Sequence, residues 1–296
     1  MSEAIRLGTV ILPDESWKVS RNHWREAEDL GFEHAWTYDH LTWRDLREKS
    51  WFSAIPVLTA AALETRTLRV GTLVASANFR HPVSFAKELM TLDEISEGRL
   101  TLGIGAGGAG FDSTALGQEA WSVRERADRF EEFVTLLDQV LINPVTSEFR
   151  GQFYSAHEAR SIPGCTQQPR IPFVIAGTGK RGIALAAKLG SGWVSNGDSS
   201  NPLEATEEEH FASVAKQISL LREECARIGR DFNSIDRFFL ASSRNEAWMK
   251  SVSEFQRLRD MYQEIGFTDL VIHRPRSSQP FAGDINVYRE IAQLSR

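Results

Sequence analysis

The sequence predicts an α/β protein folded as a (β/α)8 TIM barrel, and three observations carry that expectation. Short apolar runs alternate with longer amphipathic stretches eight times along the 296 residues. The short runs are almost unbroken in apolar residues, as strands of a parallel sheet buried on both faces are. No flexible linker, low-complexity tract or shift in composition divides the chain, so residues 1–296 read as a single domain.

Taken in order, IRLGTVIL (5–12) is the first strand, and 17–30 is a helix with Trp24, Ala27 and Leu30 at helical spacing, closed by Gly31. EHAWTY is the second strand, 56–64 a helix and LRVGTLVA (68–75) the third strand. Pro82 opens a helix running to Ile95, at the position where a missing N–H costs nothing. LTLGIG (100–105) is the fourth strand; FDSTALGQEAW then intervenes before the next helix. Ser122 and Glu125 form a capping-box pattern ahead of a long helix carrying Phe130, Phe133, Val134, Leu137 and Val140. Residues 143–170, rich in Gly, Pro and polar side chains, break the rhythm as an insertion, a hairpin or a lid. IPFVIAG (171–177), GWVSN, SIDRFFLAS and TDLVIH are strands five to eight; helices fill the stretch up to Leu189, 204–228, 246–265 and 284–294.

Composition excludes several classes. A net charge of -6 argues against nucleic-acid binding. No apolar stretch approaches membrane-spanning length, and MSEAIRLGTVILPDE lacks the pattern of a signal peptide, so a cytoplasmic protein with no membrane association is expected. Cys165 and Cys225 have no CxxC spacing and read as reduced structural thiols. The histidines are too scattered for an evident metal site, and no metal is expected.

In such barrels chemistry sits at the C-terminal ends of the strands. That places Asp39 and His40 after the second strand on the active face, with Asn78, Arg80 and His81 after the third and Gly105 to Gly110 after the fourth. Asn196 and Asp198 follow the sixth, Ser242 to Arg244 the seventh, and His273 and Arg274 the eighth. A histidine beside an acid at the end of a buried strand is a candidate for proton transfer; its plain alternative is a loop histidine that only packs. Trp43 and Trp51 either cover the barrel mouth or wall a flat cofactor. GIGAGGAG (103–110) matches G-x-G-x-x-G twice and GTGKRG (177–182) once. The second follows a strand, opens a helix and has Asp198 about 20 residues on, as a nicotinamide-binding Rossmann fold requires. The competing reading is a phosphate-bearing cofactor held by the amides near Gly177, Thr178 and Gly179.

The stretches AEDLGFEHAWTYDH, VGTLVASANFRHPVSFAKELMTLDEISEGRLTLGIGAG, QQPRIPFVIAGTGKRGIALAAKLGSGWV and YQEIGFTDLVIH together resemble the bacterial-luciferase-like oxidoreductases, in particular the branch that uses the deazaflavin coenzyme F420. The resemblance implies a barrel with an insertion, a homodimer, and hydride transfer between F420 and a small organic substrate. It places Asp39 against the cofactor ring, His40 as acid or base, and Trp43 in the substrate pocket. It also implies a bulge with a non-proline cis peptide at Leu73–Val74 behind the ring. Gly105, Gly107, Gly177, Thr178 and Gly179 would approach the cofactor's side chain and phosphate, with Lys180 adding a cation. The sugar-phosphate dehydrogenases of this branch carry a catalytic glutamate where this chain has Gly108, which argues against that reaction and leaves Asp112 as a candidate acid. The alternatives are an FMN-dependent luciferase-like monooxygenase, an NAD-dependent dehydrogenase and a non-catalytic flavin-binding barrel.

Overall fold

A computed structural model describes residues 5–108, 111–197, 206–241 and 246–294. The elements follow the expected alternation: β1 (Arg6–Val10), α1 (Trp17–Leu30), β2 (His34–Thr37), α2 (Ala54–Glu64), β3 (Arg69–Ser76), α3 (Pro82–Ile95) and β4 (Leu100–Gly105). After them come α4 (Phe111–Ala115), α5 (Val123–Ile142), β5 (Ser147–Arg150), β6 (Ser155–Ala159), β7 (Phe173–Ala176), α6 (Lys180–Leu189) and β8 (Gly192–Ser195). The chain continues through α7 (Glu207–Arg227), β9 (Asp236–Leu240), α8 (Val252–Ile265), β10 (Asp269–His273) and α9 (Ile285–Gln293). Eight strands close a barrel in the order β1-β10-β9-β8-β7-β4-β3-β2, so the sheet is not the open one a Rossmann dehydrogenase needs.

Local chemistry sets the helix boundaries. Pro82 occupies the first turn of α3, and the His81 ring accepts the Val83 N–H. The capping box of α5 is formed: Ser122 Oγ accepts the Glu125 N–H at 3.2 Å, and Glu125 Oε2 accepts the Ser122 N–H at 2.9 Å. Thr206 and Glu209 cap α7 in the same way, with Glu207, Glu208 and Glu209 in its first turn. Two expectations are corrected. FDSTALGQEAW begins with the short helix α4 rather than lacking one. The helix expected over 246–265 is split, because Ser251 caps a new helix after a 3-10 turn at Glu246–Met249.

By density of contacts the chain forms two compact units: one of Met1–Leu12, His23–Trp36 and Val174–Arg296, the other of Pro13–Asn22 and Thr37–Phe173. In the first, β1, β10, β9, β8 and β7 run parallel around an aromatic core in which Phe239 meets Trp248, Tyr262 and Phe267. A buried polar knot joins three of its strands. Trp36 Nε1–H donates to His34 Nδ1 at 2.6 Å. An indole can only donate, so the His34 proton sits on Nε2 and is donated to Asp269 Oδ1 at 3.0 Å. Arg6 adds a forked contact at 2.8 and 2.6 Å, and Thr268 Oγ1 a fourth at 2.6 Å.

In the second unit, β3 and β4 pair over a core of Leu102, Ile104, Phe85, Phe133 and Leu137. The insertion is an antiparallel hairpin, β5 with β6. Its turn is tied to α5 by Glu132, whose carboxylate accepts the N–H groups of Gln152, Phe153 and Tyr154 at 2.9, 2.9 and 2.6 Å. Where the chain leaves the insertion, Arg170 pairs with Asp138 at 2.7 Å and lies over the Phe173 ring.

Asp269 supplies a test of this account. Burial works against its charged form, but the hydrogen bonds from His34 and Arg6 outweigh it and hold the carboxyl below its usual range. The stabilisation is therefore complete above an unfolded carboxyl pKa of about 4 and is lost as pH falls below it. Asp269→Ala should cost about 3–5 kcal/mol at neutral pH and flatten the acid limb of the stability profile. Urea denaturation across pH checks both, and a loss of under about 0.5 kcal/mol would contradict the account.

Candidate active site

The β2 strand ends at Thr37, and the side chains after it are held by groups distant in sequence. Asp39 is buried at 2% exposure. Arg80, from the turn after β3, grips it with a fork: Nη2 donates to Oδ1 at 2.8 Å and Nε to Oδ2 at 3.0 Å. The Ser76 N–H, at the end of β3, also reaches Oδ2 at 3.3 Å. Arg80 itself is sandwiched against Phe79 and Phe85 and pairs outward with Glu88 at 3.0 Å. Both oxygens of Asp39 thus accept hydrogen bonds from the protein.

His40 meets a second carboxylate. Its Nδ1 lies 2.9 Å from Asp112 Oδ2, and the next amide, Leu41 N–H, donates to Asp112 Oδ1 at 2.8 Å. Asp112 stands in the first turn of α4 and is buried; the His40 side chain keeps 24% exposure. The His40 carbonyl accepts Trp51 Nε1–H at 2.9 Å, and Trp51 stacks on Trp43 with ring centres 5.7 Å apart. Trp43 is buried and meets Tyr38 edge-on. Aromatic surface therefore flanks an imidazole that is fixed at Nδ1 and through its own backbone.

The Leu73–Val74 peptide is cis, as the resemblance implies, and the β3–β4 register shifts between Thr72 and Ala75. This bulge accounts for part of the glycine pattern. A Cβ at Gly103 would run into the Thr72 carbonyl oxygen, so the strands approach there only because the side chain is absent. Gly107 has φ of +73°, and a side chain there would strike Ser76 and Asn78. Gly105 closes β4 opposite Ser76, and nothing lies within 4 Å of a Cβ placed at Gly108.

After β7, Gly177 packs back to back with Gly182, which binds strand end to helix and explains the second glycine motif without a nucleotide. Gly179 caps α6 with no side-chain oxygen, Thr178, Gly179 and Lys180 are exposed, and a Cβ at Gly179 would meet nothing within 4 Å. Backbone amides and a lysine at a helix N-terminus are a donor set suited to a phosphate. Asp198, Ala109, Gly110 and Ser242 to Arg244 lie outside the described residues. His273, at the end of β10, is buried against the Phe281 ring at 3.5 Å, and burial pushes its pKa down to about 3, so it stays neutral at ordinary pH.

Two contacts are not legible in the sequence. Arg80 was expected only as one polar residue of a turn; it proves to be the partner of Asp39. Asp112, a candidate acid in the sequence, lies 2.9 Å from the His40 ring. The available signal was a lone charge directly after a barrel strand, which says where a group sits and not whom it meets.

A closed parallel eight-stranded barrel ringed by helices, with an inserted hairpin, is a TIM barrel. The chain belongs to the luciferase-like monooxygenase family, whose model matches residues 5–290. It is 28% identical over 214 residues to a 5,10-methylenetetrahydromethanopterin reductase of Archaeoglobus fulgidus, covering 72% of this chain and 59% of that protein. It is 30% identical over 191 residues to an F420-dependent hydroxymycolic acid dehydrogenase of Mycobacterium tuberculosis, covering 62% and 51%. The chain therefore spans between half and three-fifths of the length of these relatives. Its fold matches an F420-dependent secondary alcohol dehydrogenase solved with an F420–acetone adduct, with a TM-score of 0.80 over 99% of this chain and 100% of that one, at 17% identity. Among the described residues, no helix is long and apolar enough to cross a membrane.

The Asp39–Arg80 pair yields a stability prediction. Arg80→Ala leaves a buried carboxylate without its cation and should cost about 3–5 kcal/mol. Arg80→Lys should recover only part, since an ammonium cannot reproduce the fork. The double variant Asp39→Ala, Arg80→Ala should be less unstable than Arg80→Ala alone, because no charge is stranded. Thermal and urea unfolding of the wild type, these three variants and the single variant Asp39→Ala check this, and simple additivity of the Asp39→Ala and Arg80→Ala losses would refute it.

Proposed function

We propose that this protein is an F420-dependent oxidoreductase that moves a hydride between the deazaflavin and a small organic substrate. The observation that carries the reading is the part-exposed His40 ring, held at Nδ1 by a buried carboxylate and flanked by Trp51 and Trp43. The F420 dependence of curated relatives supports the cofactor. When bound, the deazaflavin supplies the two-electron hydride chemistry, and the protein supplies binding, orientation and the proton.

Each residue then has a task. Gly177, Thr178, Gly179 and Lys180 hold the cofactor phosphate, because helix-terminal amides and a cation meet there. The Leu73–Val74 bulge, Gly105 and Gly107 shape the backbone surface against which the cofactor rests. Asp39 serves the ring region by position, since its oxygens are occupied by Arg80 and Ser76. Trp43 lines the substrate pocket. His40 gives a proton to the oxygen when hydride is added to a carbonyl and takes the hydroxyl proton when hydride leaves an alcohol, and a histidine does this near neutral pH. We propose also that the protein is a cytoplasmic homodimer.

The test is turnover with F420 against a panel of secondary alcohols and the matching ketones, followed by deazaflavin absorbance. His40→Ala should lower turnover by roughly 10²–10⁴-fold, the usual worth of a general acid or base. Its affinity for F420 should change by less than about threefold. Near-normal turnover in His40→Ala, with a lowered melting temperature alone, would reduce the histidine to a packing residue.

A further inference from the structure

We infer that Asp112 is a positioning residue that fixes the tautomer of His40, so that the imidazole presents an unprotonated Nε2 and works as a base on a hydroxyl substrate. The inference rests on the proton-transfer role given to His40 above. It assigns to Asp112 a task different from that of a direct acid.

A carboxylate oxygen only accepts, so at the 2.9 Å contact the proton between His40 and Asp112 belongs to Nδ1. A neutral ring protonated at Nδ1 has its lone pair on Nε2. Asp112 cannot turn away, because its other oxygen accepts the Leu41 N–H at 2.8 Å. That amide is a fixed donor one residue beyond the histidine. The carboxylate therefore spans side chain and main chain of the same turn, and Trp51 holds the His40 carbonyl at 2.9 Å. Asp112 is buried at 6% exposure, which keeps water from competing for the contact. Asp112 touches the histidine ring, and the ring does the exchange.

The same geometry dictates what an asparagine would do. Asp112→Asn has one oxygen for two donors. If that oxygen keeps the Leu41 N–H, the amide NH2 faces His40 Nδ1, which must then accept. If the amide is flipped, its NH2 opposes the Leu41 N–H. The first arrangement satisfies every group, and it moves the His40 proton to Nε2. An isosteric change that removes one charge thus closes the lone pair the reaction needs.

The decisive measurement needs neither cofactor nor substrate. Histidine-15N protein is studied by long-range 1H–15N correlation at about pH 8.5, where an ordinary histidine is neutral, and the His40 signals are identified by their loss in His40→Ala. The wild type should show Nδ1–H, and Asp112→Asn should show Nε2–H with a cooperative melting transition retained. With F420 and the panel of alcohols, Asp112→Asn should lose roughly 10²-fold or more in turnover and bind F420 within about threefold of the wild type. In a His40→Ala background Asp112→Asn should add no further loss. Nε2–H in the wild type would overturn the inference even if the variant did not fold. So would Nδ1–H retained in Asp112→Asn, or a further loss of turnover on top of His40→Ala. Full activity of His40→Ala would instead remove the proton-transfer role, and the tautomer result would stand or fall separately.

Discussion

The forked ion pair between Asp39 and Arg80 is the constraint on which the rest of the site depends. Burying a carboxylate at the end of a barrel strand is costly unless its oxygens are satisfied, and here Arg80 and the Ser76 amide satisfy both. The consequence is geometric. The chain is pinned one residue before His40, so the histidine and the Leu41 amide arrive together at Asp112. The pin is set on the turn that follows the β3 bulge. A strand end, a bulge and an imidazole thus share one anchor.

Around that anchor the polar groups are arranged in pairs and the remainder is aromatic. Trp51 holds the main chain of His40 and stacks on Trp43, which meets Tyr38. An apolar flank of this kind strengthens the hydrogen bonds it covers. A second histidine at a strand end, His273, is held neutral by burial against Phe281. Two histidines at strand ends therefore have opposite fates, set by their neighbours: one is part-exposed beside a carboxylate, the other enclosed by a ring.

Much of the fold was legible because its signals are local. Pro82, the Ser122–Glu125 box and Gly31 each mark a helix end by chemistry within a few residues, and the helices begin or end there. The split near Ser251 was missed because helical periodicity runs on through a cap. The site was legible in position only. Asp39 and Arg80 are 41 positions apart, and His40 and Asp112 are 72 apart. No periodicity connects such pairs; the closure of the sheet does. The double glycine pattern pointed toward a nucleotide, yet Gly103 and Gly107 answer to the β3 bulge and to a left-handed turn. The cis peptide at Leu73–Val74 came from resemblance to a family and from nothing in the propensity of those residues.

The proposed function requires this barrel to bind a deazaflavin. The most direct measurement is a fluorescence titration of the purified protein with F420 and, separately, with FMN. The account predicts that F420 binds at least about tenfold more tightly, a difference near 1.4 kcal/mol. Tighter binding of FMN would contradict it and make the protein a flavin enzyme of the same fold.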